Sequence, residues 1–125
     1  MGYSYRDLVV WQKAKALSVE AYRITETFPK SEIYGLTSQM RRAAVSIVSN
    51  IAEGQGRLTK GEFLQFLGTA RGSLFELETQ LEIAGELRYM SHEVQEKAAK
   101  EIAEVRRLLI GLMDSLRSKS KGASA

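Results

Sequence analysis

The chain of 125 residues contains no cysteine, one histidine and one proline. Without cysteine, disulfide scaffolds, thiolate zinc sites, iron–sulfur clusters and thiol nucleophiles are excluded. A single histidine, His92, removes most remaining metal and triad chemistry. Pro29 is the only proline, so little interrupts helical geometry over a long stretch. No apolar run approaches the roughly 18 residues of a membrane span. The start, Met1-Gly-Tyr-Ser-Tyr-Arg-Asp7, lacks the apolar run of a signal peptide. A cytoplasmic protein with no membrane partner is the expectation.

What is present is helical periodicity. Strand-like alternation bounded by turn clusters is absent, while apolar residues recur at three- and four-residue steps. In the first segment Val10, Ala14, Leu17, Ala21, Ile24 and Phe28 form one seam, with Asp7 at its start and Pro29 disfavouring helix in the residue before it. The second carries Leu36, Met40, Ala44, Ile47 and Ile51, and ends in Gly54-Gln-Gly56, where glycines suit a left-handed helix terminus. Thr59 and Glu62 read as a capping box opening a third helix with the seam Phe63, Leu67, Ala70, Leu74, Leu77, Leu81 and Ala84. Gly68 and Gly72 lie inside it, and close approach of a neighbouring backbone is the expected compensation for their helix cost. Ser91 caps a fourth helix with Val94, Ala98, Ile102, Val105, Leu109, Leu112 and Leu116. Helices at about 7–28, 36–55, 60–86 and 92–117, joined by short connectors, predict an all-α, antiparallel up-down-up-down four-helix bundle over residues 1–118, with a frayed polar tail at 119–125.

Ordered strings along the chain carry a resemblance. Asp7-Leu-Val-Val-Trp-Gln-Lys-Ala14, Phe28-Pro29, Gly35-Leu-Thr-Ser-Gln-Met-Arg-Arg-Ala-Ala-Val-Ser46, Asn50-Ile-Ala-Glu-Gly54, Glu62-Phe-Leu-Gln-Phe-Leu67 and Gly72-Ser-Leu-Phe-Glu-Leu-Glu-Thr-Gln80 resemble the bacterial four-helix-bundle proteins of 23S ribosomal RNA intervening sequences. That family is similar to the accessory variability determinant of diversity-generating retroelements, a ring-forming bundle that binds a reverse transcriptase and nucleic acid. The resemblance implies a homopentamer and no established enzymatic activity.

Several residue sets then bear on function. Trp11, Tyr22, Val45 and Val48 fall beside the core seams and are the candidate subunit interface, since so many large side chains otherwise form an exposed apolar patch. Ser46, Asn50 and Glu53 on the second helix face the run Thr69, Ser73, Glu76 and Gln80 on the third. Of these, Ser46, Asn50, Glu53, Ser73 and Glu76 are expected to form a structural hydrogen-bonded network. The di-iron alternative requires Glu-x-x-His, which does not occur. Gly54-Gln-Gly-Arg57 follows a helix and lacks the Gly-Lys-Ser/Thr ending of a phosphate loop. Arg88 and His92 resemble, poorly, the Arg-His motif of helical-bundle ribonucleases; their spacing is too short. No catalytic residue, metal or cofactor is expected, and no small-molecule substrate is evident.

The net charge of +3 is unevenly placed: residues 1–58 carry +3, residues 59–114 carry −3, and the remainder carries +3. Arg41, Arg42, Arg57, Lys60 and Arg71 cluster around the second and third helices in sequence and are the candidate partner surface. A symmetric assembly repeats such a surface, which attracts phosphate backbones. The expected function is a non-catalytic ring-forming adaptor contacting RNA, DNA or a nucleoprotein, with a protein-only oligomeric scaffold as the alternative and a ribonuclease as the outsider.

Overall fold

In the computed structural model, residues 4–124 are described, with side chains described through Ser118. Four helices carry the fold: α1 (Val9–Thr25), α2 (Leu36–Gln55), α3 (Lys60–Glu86) and α4 (His92–Ser124). Successive helices pack as antiparallel neighbours and α4 returns to α1, so among the described residues the bundle closes as a four-sided ring with no diagonal contact. The antiparallel sense shows in pairs that run in opposite directions: Ser46 with Ser73 and Gly54 with Phe63 between α2 and α3, Glu78 with Arg106 and Gly85 with Gln95 between α3 and α4, and Lys13 with Glu104 and Arg23 beside Val94 between α1 and α4.

The core is built from the periodic seams. Every seam position from Val10 to Phe28 is buried, as are Met40, Ala44, Ile47 and Ile51, then Leu67 to Ala84, then Ala98 to Leu109. Leu36, Phe63, Leu112 and Leu116 are half-buried against it, and Met113 is buried where Leu112 was expected. The long α4 drifts off a strict heptad because 3.6 residues per turn do not divide seven, and this passes the buried position to the next residue.

The ends differ from the sequence reading where capping is used differently. Residues Tyr5–Asp7 form a separate 3₁₀ turn in which Ser4 N–H donates to the Asp7 carboxylate at 3.0 Å, so Asp7 caps that turn and α1 starts only after extended Leu8. At the other end α1 stops at Thr25. The hydroxyl of Thr25 donates to the Ala21 carbonyl at 2.8 Å, a local bond that competes with helix continuation. Neither Gly54 nor Gly56 is left-handed; α2 runs through Gly54 to Gln55. At α3 the Thr59 hydroxyl accepts from Glu62 N–H at 3.1 Å, while the Glu62 carboxylate accepts from that hydroxyl rather than from backbone.

The only left-handed non-glycine among the described residues is Arg88, φ 61°. It sits where Tyr89 N–H bonds the Ala84 carbonyl and Arg88 N–H bonds that of Gly85, the double closure of a Schellman helix end. Beyond residue 118 the segment read as a frayed tail continues as α4 backbone to Ser124, and Ala125 lies outside the described residues. Serine, lysine and alanine there offer no breaker stronger than Gly122.

Candidate functional site

The polar stripe of α2 packs on that of α3. Ser46 Oγ and Ser73 Oγ are 2.7 Å apart, and Asn50 Nδ2 donates to the Ser46 carbonyl at 2.8 Å and to Ser46 Oγ at 3.1 Å. Three of the five network residues are therefore joined. Glu53 instead turns outward to Arg57 at 3.7 Å, and Glu76 is exposed without a bond to the network. Both carboxylates carry charge, and a helix rim gives them water that the Ser46–Ser73 seam does not.

Toward the start of α2 this seam opens into a cleft of about 580 Å³. Gln39, Arg42 and Ser46 line one wall, Ser73, Glu76 and Gln80 the other, and Tyr34 from the connector stands at its mouth. Tyr34 is 96% exposed. Gln80 is only 9% exposed, and its Oε1 is buried without a hydrogen-bond partner. Helical spacing put Gln80 on the stripe, but Tyr34 was missed because it lies in a connector whose path no period reveals.

The five candidate cations do not form one patch. Arg41 turns toward α1, where Nε donates to Thr25 Oγ1 at 2.8 Å and the guanidinium lies 4.7 Å from the Tyr22 ring centre. Arg42, one residue and about 100° on, points to the α3 side and lines the cleft. Arg57 lies 4.5 Å over the Phe66 ring. Lys60 is exposed at the first turn of α3. Arg71 is two turns before Glu78, which pairs with Arg106 of α4 at 2.8 Å, so Arg71 lies on the α4 flank.

The apolar set is more coherent. Arg41, Val45 and Val48 share one flank of α2, and Arg41 lies across Tyr22, so Tyr22, Val45 and Val48 occupy the α1–α2 face. Trp11, three turns before Tyr22, shares that flank of α1. Tyr22 and Val45 are exposed, whereas Trp11 and Val48 are half-buried against the core.

At the opposite flank, α1 and α4 bound a groove of about 700 Å³ lined by Lys13, Glu20, Arg23, Lys97, Lys100 and Glu101. Burial and the nearby Glu20 push the Glu101 carboxyl above the ordinary range, and its Oε1 is buried without a partner. At the connector end, Glu32 accepts from Leu36 N–H at 3.0 Å and from the Tyr89 hydroxyl at 2.8 Å. Those bonds hold the Glu32 carboxyl below its usual range.

Arg88 serves the helix end, and His92 is exposed with Glu96 as its neighbour at 3.9 Å. Among the described residues no group of three or more histidine, aspartate and glutamate side chains is arranged to hold a metal, and no helix is long and apolar enough to cross a membrane.

Fold and surface together define an antiparallel four-helix bundle with a polar α2–α3 cleft and an ionic α1–α4 groove. The chain matches the family model of the 23S rRNA-intervening sequence protein over residues 6–111, and it belongs to that family. It is similar to a solved protein of unknown function from the S23 ribosomal protein family of Bacteroides thetaiotaomicron, at 24% identity and TM-score 0.76, over 84% of this chain and 98% of that one. At that identity the likeness establishes the fold. No curated protein matches the chain.

Proposed function

We propose that this protein is a non-catalytic, ring-forming helical adaptor, a homopentamer of the bacterial cytoplasm, that contacts nucleic acid or a nucleoprotein through basic side chains. Arg42 carries this reading: it is exposed, has no ion-pair partner among the described residues, and stands beside hydrogen-bonding groups in the α2–α3 cleft. Exposed Lys60 and Arg71 add charge on neighbouring sides. Self-association is supported by exposed Tyr22 and Val45 on one face, which leave apolar surface for another copy to cover.

The protein-only scaffold is the second reading, favoured by the internal engagement of Arg41 and Arg57. Salt titration separates the two. An assembly making on the order of six to ten phosphate contacts loses about 10³-fold or more in affinity between roughly 50 and 200 mM salt. Binding of RNA and DNA measured by fluorescence anisotropy across that range, with Arg42→Ala alongside, is the test. No binding at low salt leaves the scaffold. Light scattering of Val45→Asp tests the assembly face, and a mass equal to the parent protein's removes Val45 from it.

A further inference from the structure

The last turns of α3 carry an apolar surface that neither the core nor the two grooves described above use. Thr79 and Ile83 stand two residues beyond buried Leu77 and Leu81, about 200° around the helix, and so point away from the bundle. Phe75 and Ile83 are each 46% exposed and Leu87 is 51% exposed. Thr79, Glu82, Ile83, Glu86 and Leu87 line an open groove of about 370 Å³. Between Arg71 and Arg88 the chain has four glutamates and no lysine or arginine. Glu78 is taken by Arg106, whereas Glu82 and Glu86 are exposed with no cation paired to them among the described residues. This end of α3 is therefore both apolar and acidic.

A complementary surface is on the same chain. The α1–α2 face holds exposed Tyr22 and Val45 with Arg41 across the tyrosine ring, and it runs on into a groove of about 410 Å³ where Ile33, 49% exposed, stands with Lys30 and Glu26. At its other end Lys15 lies 5.4 Å over the Trp11 ring. Lys15, Lys30 and Arg41 outweigh Glu26, so this surface is apolar and basic. At 1.5 Å per residue, Trp11 to Tyr22 spans about 17 Å and Phe75 to Leu87 about 18 Å, so the two surfaces match in length. We infer that the outward α3 face docks on the α1–α2 face of a second copy of this chain. The inference rests on the proposed self-association and names its other half. Apolar side chains fill the centre, while glutamates meet lysine and arginine at the rim, the ordinary division of an interface. Charge also chooses the pairing: two α1–α2 faces bring cations together and two α3 faces bring acids together, each at a cost. Because α3 packs on α2 and α4 but not on α1, the two faces look in different directions and one copy does not satisfy itself. Contact between unlike faces adds copies head to tail and closes a ring where the rotation allows.

Sedimentation velocity and light scattering test this with Ile83→Asp and Val45→Asp, both at exposed positions, with circular dichroism checking the fold. Each variant alone is expected to lose the assembly and run as a monomer. Mixed at high concentration, the two are expected to form a one-to-one dimer, because Ile83→Asp keeps an intact α1–α2 face and Val45→Asp an intact α3 face, and no second contact remains to extend it. Glu82→Lys with Glu86→Lys, which leaves the apolar centre in place, weakens assembly about tenfold or more at low salt, and added salt narrows the difference. An Ile83→Asp mass equal to the parent's overturns the pairing, leaves self-association standing and frees the α3 face for another partner. Homodimers of either variant, or a mixture that stays monomeric, overturn it as well. Assembly of the double lysine variant unchanged at low salt removes the charge match and with it the choice of occupant. A parent protein that is monomeric throughout ends both the pairing and the ring.

Discussion

The two flanks of the bundle solve the same packing problem with different chemistry. Where α2 meets α3, small side chains let the helices close on neutral hydroxyl and amide groups: Ser46, Ser73 and Asn50 are linked at 2.7 to 3.1 Å. Where α1 meets α4, long charged side chains line a groove of about 700 Å³, with Lys13 and Glu104 3.5 Å apart and Glu101 partly buried among them. Neutral hydrogen bonds tolerate burial once paired, whereas charges keep their hydration and stay along an open groove. The neutral flank should therefore respond to changes of shape and the ionic flank to changes of pH.

Shape should have the largest effect at Gly54. A Cβ built there meets Phe66 Cβ at 2.8 Å and Phe63 Cδ1 at 2.9 Å, because the end of α2 lies directly on the first turns of α3. Gly54→Ala overpacks this contact and should destabilise by about 1–3 kcal/mol. At Gly68 and Gly72 nothing lies within 4 Å, so the neighbouring backbone expected to accompany them is not there. Gly72→Ala should therefore stabilise by about 0.5–1 kcal/mol through helix propensity alone. Urea unfolding of both variants checks the contrast. A Gly54→Ala variant as stable as the parent would show that the end of α2 does not lie on the first turns of α3.

The hydroxyl seam gives a smaller effect. Ser73→Ala removes the partner of Ser46 Oγ, which keeps its bond from Asn50, so the loss should be about 1 kcal/mol. Ser46→Ala costs more, since Asn50 loses a side-chain acceptor as well. The double variant should cost less than the sum of the singles. Strict additivity in chemical denaturation would mean that the two hydroxyls do not interact, and the contrast between the flanks would lose its neutral half.

Much of this fold was legible in the sequence because apolar period is a direct image of the buried seam: from Val10 to Leu109 the expected core positions are buried with few exceptions. What periodicity does not encode is which partner a polar group chooses. Asp7 caps a preceding turn, Glu53 takes Arg57, and Arg41 takes Thr25 and Tyr22, each choice depending on a chain path the period leaves open. Arg41 and Arg42 look like one basic pair in sequence yet serve different flanks, since a helix turns about 100° per residue. Gly54 read as a helix stop and is a packing contact, because a glycine is equally suited to a left-handed backbone and to a close neighbour.

The ionic flank is tested by pH. Glu101 is pushed above its ordinary 4.5 by burial first and by Glu20 and Glu104 next, opposed by Lys97 and Lys13. A carboxyl whose folded pKa exceeds its unfolded pKa favours the folded state when protonated, so its penalty is absent below 4.5 and is fully present once pH has passed the raised value. Glu101→Gln keeps the shape and removes the charge. It should raise Tm slightly at neutral pH, and the advantage should shrink as pH falls through the raised value toward 4.5. Glu32 supplies the opposite sign: its carboxyl is held low by Leu36 N–H and the Tyr89 hydroxyl, so its contribution is present above 4.5 and is lost in acid. Differential scanning calorimetry from acid to neutral pH on Glu101→Gln and Tyr89→Phe separates them. A Glu101→Gln advantage that stays constant with pH would mean that the carboxylate is solvated like any surface acid, and that the α1–α4 groove does not desolvate it.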